Sequence, residues 1–148
     1  GGDGTESHAV EIRYRVTAAG TAVEETMFPG TEHEMITMYH LDGVRLMLTH
    51  YCAAGNQPRM VATNWEVDTK PRTIRFAYSD ATNLASSKTG HMHAMEMTVE
   101  GTDRLRETWT YFQDGVLSHQ STFDMTRKGG GKVAGAVTSL TTTTFGPF

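Results

Sequence analysis

Apolar and polar residues alternate along most of the chain, and Gly, Asp or Pro interrupts the alternation at short intervals. A period of two is the signature of strands whose successive side chains face opposite sides of a sheet. The runs at 9–17 (AVEIRYRVT), 21–28, 34–41, 44–51, 59–67, 72–79, 91–100, 103–113 and 116–127 predict nine strands, and helical periodicity is nearly absent. Asp42-Gly43 and Asp114-Gly115 each lie between β-rich runs. Asp-Gly supplies the positive φ angles of a two-residue hairpin turn, so the flanking strands must pair antiparallel. Gly-containing turns at 18–22 and 100–103 and the Pro71 break at 68–72 also reverse the chain. The one long connection, DATNLASSKTG at 80–90, predicts a short helical lid near 81–88, with Asp80 capping a turn through Leu84 and Ala85.

Counting outward from Asp42-Gly43 places Leu41 opposite Val44, Tyr39 opposite Leu46 and Thr37 opposite Leu48 on one face, with Met38 opposite Met47 on the other. Both faces are substantially apolar, which a sheet with one wet face does not need. Closure into a barrel provides an interior and removes open edges. The remaining apolar outer face calls for cover from a second copy, as in a homodimer, or from the tail. The segment 129–148 is rich in Gly and Thr, and the β-branched content of VTSLTTTTF predicts an added strand over 133–145 against an open edge. Residues 1–8 read as a leader or a cut end. The expectation is a single domain over 1–148: an all-β, antiparallel up-and-down barrel of nine to ten strands with one short helical lid.

Composition narrows the function classes. A chain of 148 residues suits one core without disulfides, and the lone Cys52 forms none internally. The net charge is −4, and no basic cluster exceeds Arg127-Lys128, so the footprint needed to grip nucleic acid is missing. No apolar run approaches the roughly 20 residues of a membrane-spanning helix.

In a meander, successive turns alternate between the two barrel ends. The connections at 29–34, 52–58 and 80–90 and the Asp114-Gly115 turn share one end; those at 18–21, 42–43, 68–71 and 101–102 share the other. His33, His50, His91 and His93 gather at the first end, whereas His40 falls at the opposite one. A ligand is expected to enter at that mouth and to contact His50, His91, His93, Trp109 and Tyr111, with Asn56, Arg59 and Asn83 as hydrogen-bonding rim residues. Pairing from Asp114-Gly115 puts Trp109 and Tyr111 on the face of Ser118, Gln120 and Thr122, and Glu107, if enclosed, needs Arg59 or Arg75 as partner. His91 and His93, two residues apart on a strand, could join His50 around zinc, but no Glu or Cys completes a ligand spacing, and rim hydrogen bonding is the simpler reading. Cys52, two residues after His50, reads as a small buried hydrophobe rather than a nucleophile.

The run ETMFPGTEHEMITMYHLDGVRLMLTHYCAAGNQPRM (25–60), with TNL (82–84), HMH (91–93) and ETWTYFQDG (107–115), resembles a group of small bacterial proteins of unknown function with a lipocalin-like (calycin) β-barrel. The resemblance covers most of 10–127. It implies the barrel, a ligand-binding style and export to the periplasm or medium, and it brings neither a reaction nor a set of site residues. The family's opening Gly-Trp strand has no counterpart here, which leaves a place in the barrel for the tail.

The expected function is binding of a small, partly apolar molecule inside the barrel. No catalytic residue, metal ligand or cofactor is assigned. The alternatives are a barrel isomerase, cyclase or hydrolase with His50 or His93 as general base backed by a carboxylate, haem or metal binding at the His-rich mouth, and a structural module with a filled interior.

Overall fold

The computed structural model describes residues 9–65, 72–128 and 136–143. Ten strands follow one another: β1 Ala9–Thr17, β2 Ala22–Met27, β3 Met35–Asp42, β4 Arg45–Tyr51, β5 Gln57–Ala62, β6 Thr73–Thr82, β7 His91–Glu100, β8 Arg104–Gln113, β9 Val116–Arg127 and β10 Ala136–Thr143. Every neighbouring pair is antiparallel. The ring runs β1-β10-β9-β8-β7-β6-β5-β4-β3-β2 and closes. The tail supplies β10, which sits between β1 and β9 and leaves no edge there. This up-and-down order is consistent with a calycin-type barrel, and no described helix is long and apolar enough to cross a membrane.

Alternation of connections holds: those following β2, β4, β6 and β8 lie at one end, and those following β1, β3, β5 and β7 at the other. The helical lid is not where the sequence placed it. β6 continues through Asp80 to Thr82, and the 83–90 connection is made of bends and turns. Asp80 is drawn into the ladder opposite Arg59, whose guanidinium it pairs with, so it cannot act as a cap. The one short helical turn among the described residues is Ala18–Gly20, at the opposite end. The 68–71 part of the predicted Pro71 turn lies outside the described residues.

Two registers differ from the sequence count. In the β3–β4 hairpin Asp42 pairs with Arg45 and Leu41 with Leu46, so the loop is Gly43-Val44 and each pair moves by two residues. Gly43 takes the first loop position at φ +61°, and an Arg45–Asp42 ion pair of 3.0 Å closes the loop. The faces survive because a shift of two preserves parity. The second difference does change faces. A bulge between Tyr111 and Phe112 moves β8 by one residue against β9, so Trp109 opposes Ser121 and Glu107 opposes Phe123. Trp109 and Glu107 therefore share the interior with Phe123 and Met125, not with Ser118, Gln120 and Thr122.

The interior is built in rows. Toward one end Val23, Tyr39, Leu48 and Met60 are consecutive cross-strand partners, and toward the other Met27 is flanked by Ile12 and Met35. With Phe76, Met95, Trp109, Phe123 and Met125 from the remaining wall, these form the core. Burying a side chain of this size contributes roughly 1.5–3 kcal/mol.

A polar row in an apolar barrel

Between the two apolar rows runs a third that is polar throughout. Tyr14 of β1, Glu25 of β2, Thr37 of β3 and His50 of β4 are direct partners in adjacent strands. Glu25 and Thr37 are 0 % exposed and His50 is 1 % exposed. From β8, across the barrel, Glu107 reaches the same level and is also fully buried. Its Oε1 accepts from the Tyr14 hydroxyl at 2.7 Å and its Oε2 from the Trp109 indole N–H at 2.9 Å. The expected arginine partners are elsewhere: Arg59 is paired with Asp80 and Arg75 with Glu96 on the exposed surface. A bulge that turns Glu107 inward puts it out of reach of either guanidinium, and phenol and indole donors take their place.

Tyr14 and Thr37 flank Glu25 as its cross-strand partners, and Tyr39 donates to its Oε1 at 3.3 Å. Burial first, and then the neighbouring Glu107 charge, push the Glu25 carboxyl well above the usual carboxylate range. Burial and both carboxyl groups likewise raise the Tyr14 and Tyr39 phenols. Glu107 accepts two donors, and the raised Glu25 carboxyl is held toward its neutral acid form. Among the described residues no Lys or Arg side chain is buried beside the two carboxyl groups.

His50 completes the row. Its Nδ1 is 2.8 Å from the Thr37 hydroxyl, its ring centroid is 4.6 Å from that of Trp109, and burial lowers its pKa to about 4. The imidazole is therefore neutral at physiological pH. Its Nε2 and the Oε2 of Glu25 are buried polar atoms with no hydrogen-bond partner in the structure.

The rim histidines are arranged differently. His91 Nδ1 is 2.7 Å from the Thr89 carbonyl and its Nε2 is 2.9 Å from His93 Nδ1. The His93 ring is stacked between Tyr78, at 4.5 Å, and Phe112, at 3.9 Å. Tyr111 stacks on His119 at 4.8 Å. Asn56 donates to the Gly90 carbonyl at 2.9 Å and Asn83 donates to the carbonyl of Gly55, so both amides tie loops together. Arg59 is held by Asp80. Burial raises the Cys52 thiol, which fits a packing role. No three His, Cys, Asp or Glu side chains converge to hold a metal among the described residues, so the His50, His91 and His93 trio is not assembled.

Of the residues singled out from the sequence, the structure brings His50 and Trp109 together with the polar row, and leaves His91, His93 and Tyr111 at the rim. It adds Tyr14, Glu25, Thr37 and Tyr39. A signal for Glu25 was available: Val23 and Met27 flank it at i±2, as Leu105 and Trp109 flank Glu107, so each carboxylate interrupts an apolar strand face. Comparison with known proteins adds no precedent, because no family model, no curated protein and no solved structure matches the chain.

Proposed function

We propose that the barrel binds a small, partly apolar molecule whose polar end meets the row Tyr14, Glu25, Thr37 and His50. The observation that supports this reading is the pair of unpartnered buried atoms, His50 Nε2 and Glu25 Oε2, between two apolar rows. An unsatisfied buried polar group costs about 1–3 kcal/mol, and such groups are retained where a water or ligand completes them. The lipocalin-like resemblance adds to the reading an open-ended container and an exported setting.

Binding is favoured over catalysis by a His general base. Such a base needs a carboxylate behind the imidazole and a pKa near the working pH. His50 has the Thr37 hydroxyl behind it instead, and burial holds its pKa near 4. Burial, and then the neighbouring His91 that it contacts, lower the pKa of His93. The iron alternative narrows to His50, whose Nε2 is unpartnered.

Trp109 reports on the site because its ring touches His50. Native mass spectrometry of the purified protein, with absorbance near the Soret band and metal analysis of the same sample, identifies a retained ligand. Titration with small amphipathic probes should shift Trp109 emission in the wild type, and this response should be lost in Trp109→Phe. A protein that carries no ligand and gives no Trp109 response to any probe would overturn the reading.

A further inference from the structure

The unpartnered atoms and the two buried carboxyl groups together say which polar end fits. Glu25 and Glu107 are both fully buried, and the Tyr14 hydroxyl and the Trp109 indole N–H already donate to Glu107. The nearby imidazole is neutral, and no described Lys or Arg is buried. A carboxylate in this apolar enclosure has no counter-ion, an arrangement that costs several kcal/mol unless a cation arrives.

His50 supplies the independent observation. Its Nδ1 is 2.8 Å from the Thr37 hydroxyl, while its Nε2 and the Oε2 of Glu25 are both buried without a partner. When Nδ1–H donates to the Thr37 oxygen, Nε2 is a buried acceptor. A head group with several N–H donors and a positive charge then satisfies Nε2 and Glu25 Oε2 and neutralises a carboxylate of the pair.

Resting on the barrel-binding reading, we propose that this row, Glu25, Glu107, Thr37 and His50, selects ligands that carry a protonated amine on an apolar body and rejects those headed by a carboxylate. A ligand carboxylate enters an enclosure that already holds two buried carboxyl groups and no described buried Lys or Arg, and like-charge juxtaposition costs several kcal/mol.

Three probes with the same apolar chain test this: decylamine, decanol and decanoate, titrated into the full chain below their micelle concentrations at neutral pH. Isothermal calorimetry and Trp109 emission are the readouts. Decylamine should bind with 1:1 stoichiometry, about 100-fold more tightly than decanoate, with decanol between them. Glu107→Gln should erase the preference of decylamine over decanol, and Glu25→Gln should reduce it. Glu96→Gln, which removes an exposed carboxylate paired with Arg75, should leave it unchanged and so separates interior selection from general attraction to an acidic protein. If Glu107→Gln does not fold, shown by circular dichroism, the wild-type ranking and Glu25→Gln decide the matter. Equal binding of all three, or tightest binding of decanoate, overturns the amine selection and leaves barrel binding standing. Failure of all three to bind the folded wild type defeats both.

Discussion

The rim and the interior of this barrel both hold histidines beside aromatic rings, yet they are in opposite states. At the rim, His91 and His93 contact each other, a carbonyl and two stacked rings. In the interior, the His50 ring lies tilted against Trp109 and contacts Thr37, and its second nitrogen has no partner. Histidine density therefore points to the rim, and unmet hydrogen-bonding capacity points to the interior. The second is the better guide to a ligand, because a group already satisfied gains little from one.

The largest effect that distinguishes the two regions comes from their aromatic rings. Trp109→Ala removes a ring that is 1 % exposed and also removes the donor to Glu107, so it should cost about 3–5 kcal/mol in urea unfolding. Phe112→Ala at the partly exposed rim should cost less than half of that. Equal costs would mean that the rim is as much a part of the core as the interior.

Acid titration should show the next effect. The folded pKa of His50 is lowered from 6.5 to about 4, so the unfolded chain takes up its proton first. The stability contributed by keeping His50 neutral is complete above pH ~6.5 and is lost as pH falls toward ~4, a change on the order of 3 kcal/mol. Glu25 works in the opposite sense. Its raised pKa means that the contribution of the neutral acid is full below the ordinary carboxylate range and declines as pH rises toward the folded value. His50→Gln should flatten the acid limb of a stability–pH curve and Glu25→Gln the alkaline limb. An acid limb that persists in His50→Gln but vanishes in His93→Gln would move the pH-sensitive histidine to the rim.

A smaller effect is expected where the rim is tightest. A Cβ added at Gly90 would lie 2.0 Å from the Tyr111 hydroxyl and 2.6 Å from Gln113 Oε1. Gly90→Ala must displace Tyr111 from its stack on His119 and should cost about 1–3 kcal/mol, read from the thermal midpoint. It should leave any Trp109-reported ligand affinity nearly unchanged if the site is in the polar row. The smallest effect is predicted for His93→Ala, under about 1 kcal/mol, because its ring is partly exposed and its loss leaves only His91 to find water. A large loss of ligand affinity in this variant would return the site to the rim.

Much of the fold was legible because strand periodicity and Asp-Gly turns are local signals. Both Asp114 and Gly115 have positive φ, at +56° and +78°, as their hairpin requires. The alternation of barrel ends followed from connectivity alone. The helical lid was misplaced because capping chemistry at Asp80 is local, whereas the pull of Arg59 into the ladder depends on a strand that lies apart in sequence. Trp109 and His50 were recognisable as candidates from residue type and from their end of the barrel, and Glu107 was recognised as needing a partner, but the partner was wrong.

By itself, the sequence determined the strand set, the antiparallel order and the ends at which the connections gather, since each depends on residues near one another in the chain. The tertiary structure alone decided which faces meet in the interior. A single-residue bulge at Tyr111/Phe112 turns Trp109 and Glu107 toward Ser121 and Phe123, and closure by β10 completes the ring in which Tyr14, the cross-strand partner of Glu25, reaches Glu107 of β8. A one-residue slip reverses every side chain beyond it, and no local pattern records the partner across a barrel. The carboxyl pair therefore exists only in the folded chain, although each of its members was visible as a charge set into an apolar face.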